Sequence, residues 1–133
     1  MIEKIRRSLS FLNHDLVSEI IENSTLQEFE ENTTMIKEGE YIKVIPYVST
    51  GLIKVFTSHE EKELLLYYIE PNNSCIMSFS AGMANEPSKV YAITEEKTTA
   101  LQTPAPFFYL RRSSPKQQFC IFVHAANYDH PLS

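Results

Sequence analysis

Basic residues are few in this sequence, and cysteines, glycines and long apolar runs are fewer still. Twelve Lys and Arg stand against seventeen Asp and Glu, for a net charge of −5 at pH 7. Affinity for nucleic acid rests largely on cations that neutralise phosphates, so this chain by itself is not expected to contact DNA. The imbalance is uneven: residues 1–70 carry seven Lys/Arg against thirteen Asp/Glu, residues 71–133 five against four. The two cysteines, Cys75 and Cys120, are too few for an iron–sulfur cluster held by four thiolates. In a reducing compartment they read as unpaired packing residues, with a redox or metal-sensing thiol at Cys75 as the alternative. No run approaches the roughly 18 apolar residues of a membrane span, and MIEKIRRSLSF lacks the apolar centre of a secretory signal. A cytoplasmic protein without a membrane partner is expected. No Ser/His/Asp or Cys/His grouping is spaced for nucleophilic catalysis; the sequence predicts no catalytic residue, no metal and no cofactor.

What is present is a β-rich core between helices. A chain of 133 residues suits one domain and is too short for two. Seven Tyr and eight Phe suit a barrel interior and argue against disorder. Phe11, Leu12, Leu16, Ile20 and Ile21 fall near one helical face, with Asn13 or Asp15 placed to cap its start, so helices are expected over about residues 1–23. From Thr25 to Thr103 the pattern becomes short strand-like runs: TLQEF, TTMIK, KVIPYV, LIKVFT, ELLLYYI, CIMSF, KVYAI and TTALQT. Turn signals separate them, which predicts an antiparallel jelly roll, mainly β with flanking helices, over about residues 25–103. Gly39 and Gly51 punctuate it where a positive φ lets the chain reverse. Pro46 cannot donate to a ladder and is expected at an edge or a bulge. The runs LIKVF and LLLYYI, joined by the charged loop TSHEEKE, are apolar on both faces and predict a hairpin covered by the barrel on one side and a helix on the other. After Thr103, Pro104 and Pro106 introduce FFYLRR, then Ser114, Pro115 and Gln117 form a helix-start signature. Helices are expected over about residues 104–128, with Phe119, Phe122, Val123 and Ala126 on one face.

The order of these signals from about Phe11 to about Phe122 resembles the N-terminal sensory domain of the Crp/Fnr family of bacterial transcription regulators, a cyclic-nucleotide-binding jelly roll. The resemblance is carried by Glu38–Gly39, by the Tyr47-to-Gly51 step and by the hairpin LIKVF–ELLLYYI. It continues through a turn proline at Pro71 and the Val-x-Ala strand Val90–Tyr91–Ala92. Between these fixed points no gap is needed. Ile76 and Met77 then fall on the family's Gly-Glu pair, and Pro87–Ser88 on its Arg-Ser pair. The resemblance therefore implies the fold without the acidic and guanidinium anchors of a cyclic nucleotide; only Ser88 is kept. A phosphodiester held without its guanidinium forfeits charge-assisted hydrogen bonds and carries a desolvated charge.

By the same resemblance, Ser74 to Lys89 holds a short helix at the barrel mouth and forms a small-molecule effector pocket lined by Met77, Ser78, Ser80, Ser88 and Lys89. The alternative is that Met77 and Phe79 fill the emptied pocket as core, Ser80 caps a turn and Lys89 is simply solvated. The face of Phe119, Phe122 and Val123 is where the family's dimerisation helix begins, implying a weak homodimer. No helix-turn-helix occurs within this chain, so DNA would be reached only through such a domain lying elsewhere. A piece of a regulator, a truncated one and a stand-alone binding or dimerisation module all remain open. Haem ligation finds no buried axial pair among His14, His59, His124 and His130. A jelly-roll metalloenzyme of cupin type would need a His-x-His pair, and none exists.

Overall fold

The computed structural model describes residues 1–10 and 13–110. Two helices open the chain, α1 (Ile2–Ser8) and α2 (His14–Glu22). Asn13 caps α2: its side-chain oxygen accepts from the N–H groups of Asp15 at 2.8 Å and Leu16 at 3.4 Å. Those donors have no carbonyl partner inside the helix, so the cap removes their desolvation cost. The strands are β1 (Thr25–Phe29), β2 (Thr34–Ile36), β3 (Val44–Thr50), β4 (Ile53–His59), β5 (Lys62–Ile69), β6 (Tyr91–Thr94) and β7 (Thr98–Pro104). Helix α3 (Ile76–Ala84) lies between β5 and β6 in the chain, and α4 (Ala105–Leu110) follows β7. All pairings are antiparallel, in two sheets of order β1-β7-β3 and β2-β6-β4-β5. The mainly β jelly roll with helices at its flanks is the fold the strand runs predict.

Strand β3 feeds two cores because its side chains alternate between faces. Ile45 and Tyr47 join Ile5, Leu9, Val17, Ile20 and Leu101 beneath the N-terminal helices. Val48 joins Ile53, Val55, Ile69, Val90 and Ala92, from the facing sheet and the segment leading into it. Each aliphatic side chain so buried contributes roughly 1.5–3 kcal/mol. β3 is also an edge of its sheet, which is where Pro46, lacking an N–H, is tolerated. The segment after β5 closes that edge. Val48 N–H donates to the Asn73 carbonyl at 2.9 Å, Asn72 N–H to the Val48 carbonyl at 2.7 Å, and the Ser74 hydroxyl to the Pro46 carbonyl. Gly51 turns β3 into β4 at a φ of +104°, and a Cβ there would meet the Thr98 Cα at 2.5 Å and the Lys97 carbonyl oxygen at 2.7 Å. Conformation and space both require glycine.

The structure departs from the sequence reading in three places. The run CIMSF, read as a strand, enters helix α3, as the family resemblance implied for this segment. A five-residue apolar run does not distinguish the two by periodicity, and the continuation through Ala81, Gly82 and Ala84 extends it to nine helical residues. The stretch read as a charged loop is mostly strand: β4 and β5 remain paired out to His59 and Lys62, leaving Glu60 and Glu61 as the turn. Finally, no described helix covers the outer side of the hairpin. Leu64 is 63% exposed and Leu65 48%, because the described helices pack on β3 and β7 of the other sheet. The helix expected after Ser114, with Phe119, Phe122 and Val123, lies outside the described residues. No described helix is long and apolar enough to cross a membrane.

Candidate functional site

The site is built on helix α3 and the turn that ends it. Asn85 adopts the left-handed conformation at φ 55° and ψ 46°, which asparagine tolerates better than most residues. Its N–H donates to the Gly82 carbonyl at 3.3 Å, and the Glu86 N–H donates to the Ala81 carbonyl at 2.9 Å. This pair of bonds is a Schellman closure, and it folds the chain back so that Glu86 and Lys89 face the helix they follow. Met77, Ala81 and Ala84 are spaced i, i+4 and i+7, and therefore share one side of α3. With Ser80, Glu86 and Lys89 they line a cavity of about 310 Å³. The side chains of Ser80, Ala81 and Ala84 are small, and Met77, which borders the cavity, also packs against the core of Val48 and Ile53; the side chain of Phe79 lies outside the described residues.

The far wall is held by backbone bonds. Gly39 N–H donates to the Ser88 carbonyl and Ser88 N–H to the Glu40 carbonyl, each at 2.8 Å. Beside the cavity, a more open hollow of about 630 Å³ is lined by Glu38, Gly39, Glu86, Pro87, Ser88 and Lys89. Glu86 and Lys89 border both spaces. They are exposed, and among the described residues neither forms an ion pair. The Ser80 hydroxyl likewise has no hydrogen-bond partner among the described residues. On the other side of α3, a Cβ at Gly82 would lie 3.5 Å from the Ile45 Cδ1 and 3.6 Å from the Ala105 Cβ, so the helix sits close against β3 and α4.

Of the five residues expected to line a pocket, Met77, Ser80 and Lys89 come together around this cavity. Ser78 and Ser88 do not line it. Ser78 is fully buried and donates to the Cys75 Sγ at 2.9 Å. Ser88 is 3% exposed; its hydroxyl donates to the Val90 carbonyl at 2.8 Å and accepts from the Val90 N–H at 3.1 Å, closing its own turn. Cys75 is buried with the Tyr67 hydroxyl 3.3 Å from its sulfur. Burial, reinforced by the neighbouring Cys75, pushes the Tyr67 hydroxyl far above the ordinary tyrosine value. The carboxylate of Glu86 and the methyl groups of Ala81 and Ala84 were not anticipated from sequence. The i, i+4, i+7 spacing from Met77 is the signal for the alanines, and it is visible only once the segment is read as a helix. Among the described residues no group of three or more His, Cys, Asp or Glu side chains is placed to hold a metal ion.

The fold has known counterparts. The sensor domain of the transcriptional regulator DNR from Pseudomonas aeruginosa superposes with a TM-score of 0.63 at 12% identity, over 94% of this chain and 74% of that one. The Thermus thermophilus catabolite activator protein gives 0.69 at 13% identity, over 89% of this chain and 54% of the other. The regulatory subunit of a cAMP-independent protein kinase A from Trypanosoma brucei gives 0.72 at 13% identity, over 82% of this chain and 40% of the other. The chain spans between 40% and 59% of the length of the first structures it matches. No protein-family model and no curated protein matches the chain. The cyclic-nucleotide-binding-domain fold is thus the fold of this chain.

Proposed function

We propose that this chain is the effector-sensing domain of a regulator of the Crp/Fnr type, responding to a small molecule other than cyclic AMP or cyclic GMP. The observation that carries the reading is Met77 on the cavity wall, at the position where the family resemblance puts the acidic anchor of the nucleotide. Pro87, at the guanidinium position, supplies no charge either. Among the described residues lining the cavity Lys89 is the one cation, a point charge without the fork that matches a phosphodiester. The likeness to a sensor domain and to a catabolite activator supports the regulatory assignment; the fold occurs with cAMP bound as well as in a cAMP-independent regulatory subunit, so the separation from that nucleotide rests on Met77 and Pro87. The reading gives the chain no reaction to catalyse. It leaves DNA contact to a helix-turn-helix domain outside this chain, and self-association to Phe119, Phe122 and Val123.

Isothermal calorimetry with cyclic AMP and cyclic GMP tests it. Loss of charged hydrogen bonds of this kind costs about 2–5 kcal/mol, or roughly 30- to several-thousand-fold in affinity, so no heat of binding is expected at physiological nucleotide concentrations. A low-micromolar dissociation constant for either nucleotide would contradict the proposal.

A further inference from the structure

The cavity beside α3 has a chemistry of its own, and we infer that its ligand is a small organic monoanion with an apolar body, of the monocarboxylate class. The inference rests on the effector-pocket reading above and names the ligand for it. One wall is apolar: Met77, Ala81 and Ala84 from a single side of α3. Among the described residues Lys89 is the only cation lining the cavity and is engaged in no ion pair, so it offers a positive charge at the rim. Ser80 adds a hydroxyl that has no partner among the described residues. Glu86 is the third polar feature, and it sets an upper limit on ligand charge. A second negative charge on the ligand would face Glu86 in the cavity and Glu38 across the adjoining hollow, where like charges repel. A neutral ligand leaves Lys89 unused, a cation meets it directly, and a dianion brings a second charge up to the carboxylates. A single carboxylate on a short hydrocarbon pairs with Lys89 and covers the apolar wall, while the exposed Glu86 keeps its contact with solvent. The volume of about 310 Å³ is at the small end of ligand pockets, which fits such a molecule.

Hexanoate is a suitable probe, with acetate, hexanamide, hexylamine and adipate as controls. The readout is the methyl resonance of Met77 in the 13C-methyl-methionine-labelled chain, titrated with each probe and assigned by Met77→Leu. Hexanoate should shift this resonance saturably and more tightly than acetate, which carries the charge without the body, and than hexanamide, which carries the body without the charge. Lys89→Met should weaken hexanoate about tenfold or more, the usual loss of a charge-assisted contact, while Lys89→Arg retains it. Adipate should bind about tenfold less tightly than hexanoate, and Glu86→Gln should narrow that gap. Ala84→Phe, which fills the cavity from the exposed end of α3, should abolish the response with the circular dichroism spectrum unchanged. Saturable binding of hexanamide or hexylamine that is equal to or tighter than hexanoate, blocked by Ala84→Phe and indifferent to Lys89→Met, overturns the anion assignment and leaves the effector reading standing. If none of the probes gives a response sensitive to Ala84→Phe, the monoanion inference falls, and the reading of the cavity as an effector pocket loses its support; a nucleotide bound in calorimetry overturns that reading separately.

Discussion

The Tyr67 hydroxyl and the Cys75 thiol lie 3.3 Å apart in the buried region below α3. Because burial raises the folded-state pKa of Tyr67 well above the unfolded value of about 10, the folded chain retains a proton that the unfolded chain loses first. The associated stability is fully present below pH 10 and is lost as the pH rises beyond it, by up to about 1.4 kcal/mol per pH unit. Alkaline titration of the unfolding free energy should therefore show a falling limb above pH 10 that Tyr67→Phe flattens; a limb of equal slope in the variant would contradict the assignment. Nothing in the sequence distinguishes Tyr67 from the other six tyrosines. Its partner was visible as a cysteine in a pocket-side segment, but the contact depends on how β5 and α3 fold onto one another. Asn13 and Gly51 were legible for the opposite reason: a cap and a positive-φ turn are set by neighbours a few residues away.

Among elements, the β4–β5 hairpin departs furthest from local preference. Its turn residues Glu60 and Glu61 hold φ values of 52° and 65°, a type I′ geometry that favours Asn-Gly and strains larger side chains. The double variant Glu60→Asn, Glu61→Gly should raise stability by about 1–2 kcal/mol, read as a higher urea midpoint at unchanged m-value. A lower midpoint would show that the glutamates hold the turn by other means. The missing Asn-Gly signal is why the sequence suggested a longer loop. Contacts of the strands assist the pairing: Lys54 on β4 pairs with Glu63 on β5 at 3.2 Å and lies 4.9 Å over the Phe56 ring, and β4 is held on its other side, where Phe56 stacks on Tyr91 of β6 with ring centroids 5.3 Å apart. Contacts between strands far apart in sequence do not announce themselves in a local pattern. The strand runs did, because alternation against a core is local.

At the scale of the molecule, the two cores are tied together by β3, whose Ile45 serves one and Val48 the other. Ile45→Ala and Ile53→Ala fall in different cores, and each should cost about 2–5 kcal/mol. Both should lower a single transition, with tyrosine fluorescence and far-ultraviolet circular dichroism coinciding throughout; a biphasic curve in either variant would show that the cores unfold separately. The close seat of α3 at Gly82, 3.6 Å from the Ala105 Cβ for a side chain built there, carries a different consequence. One side of this helix is cavity wall and the other abuts α4. Linkage between such neighbours is reciprocal: an occupant that favours one placement of α4 is bound more tightly, by the same factor, when a partner beyond Leu110 imposes that placement first. If the cavity takes a ligand, its affinity would then report on what packs against α4.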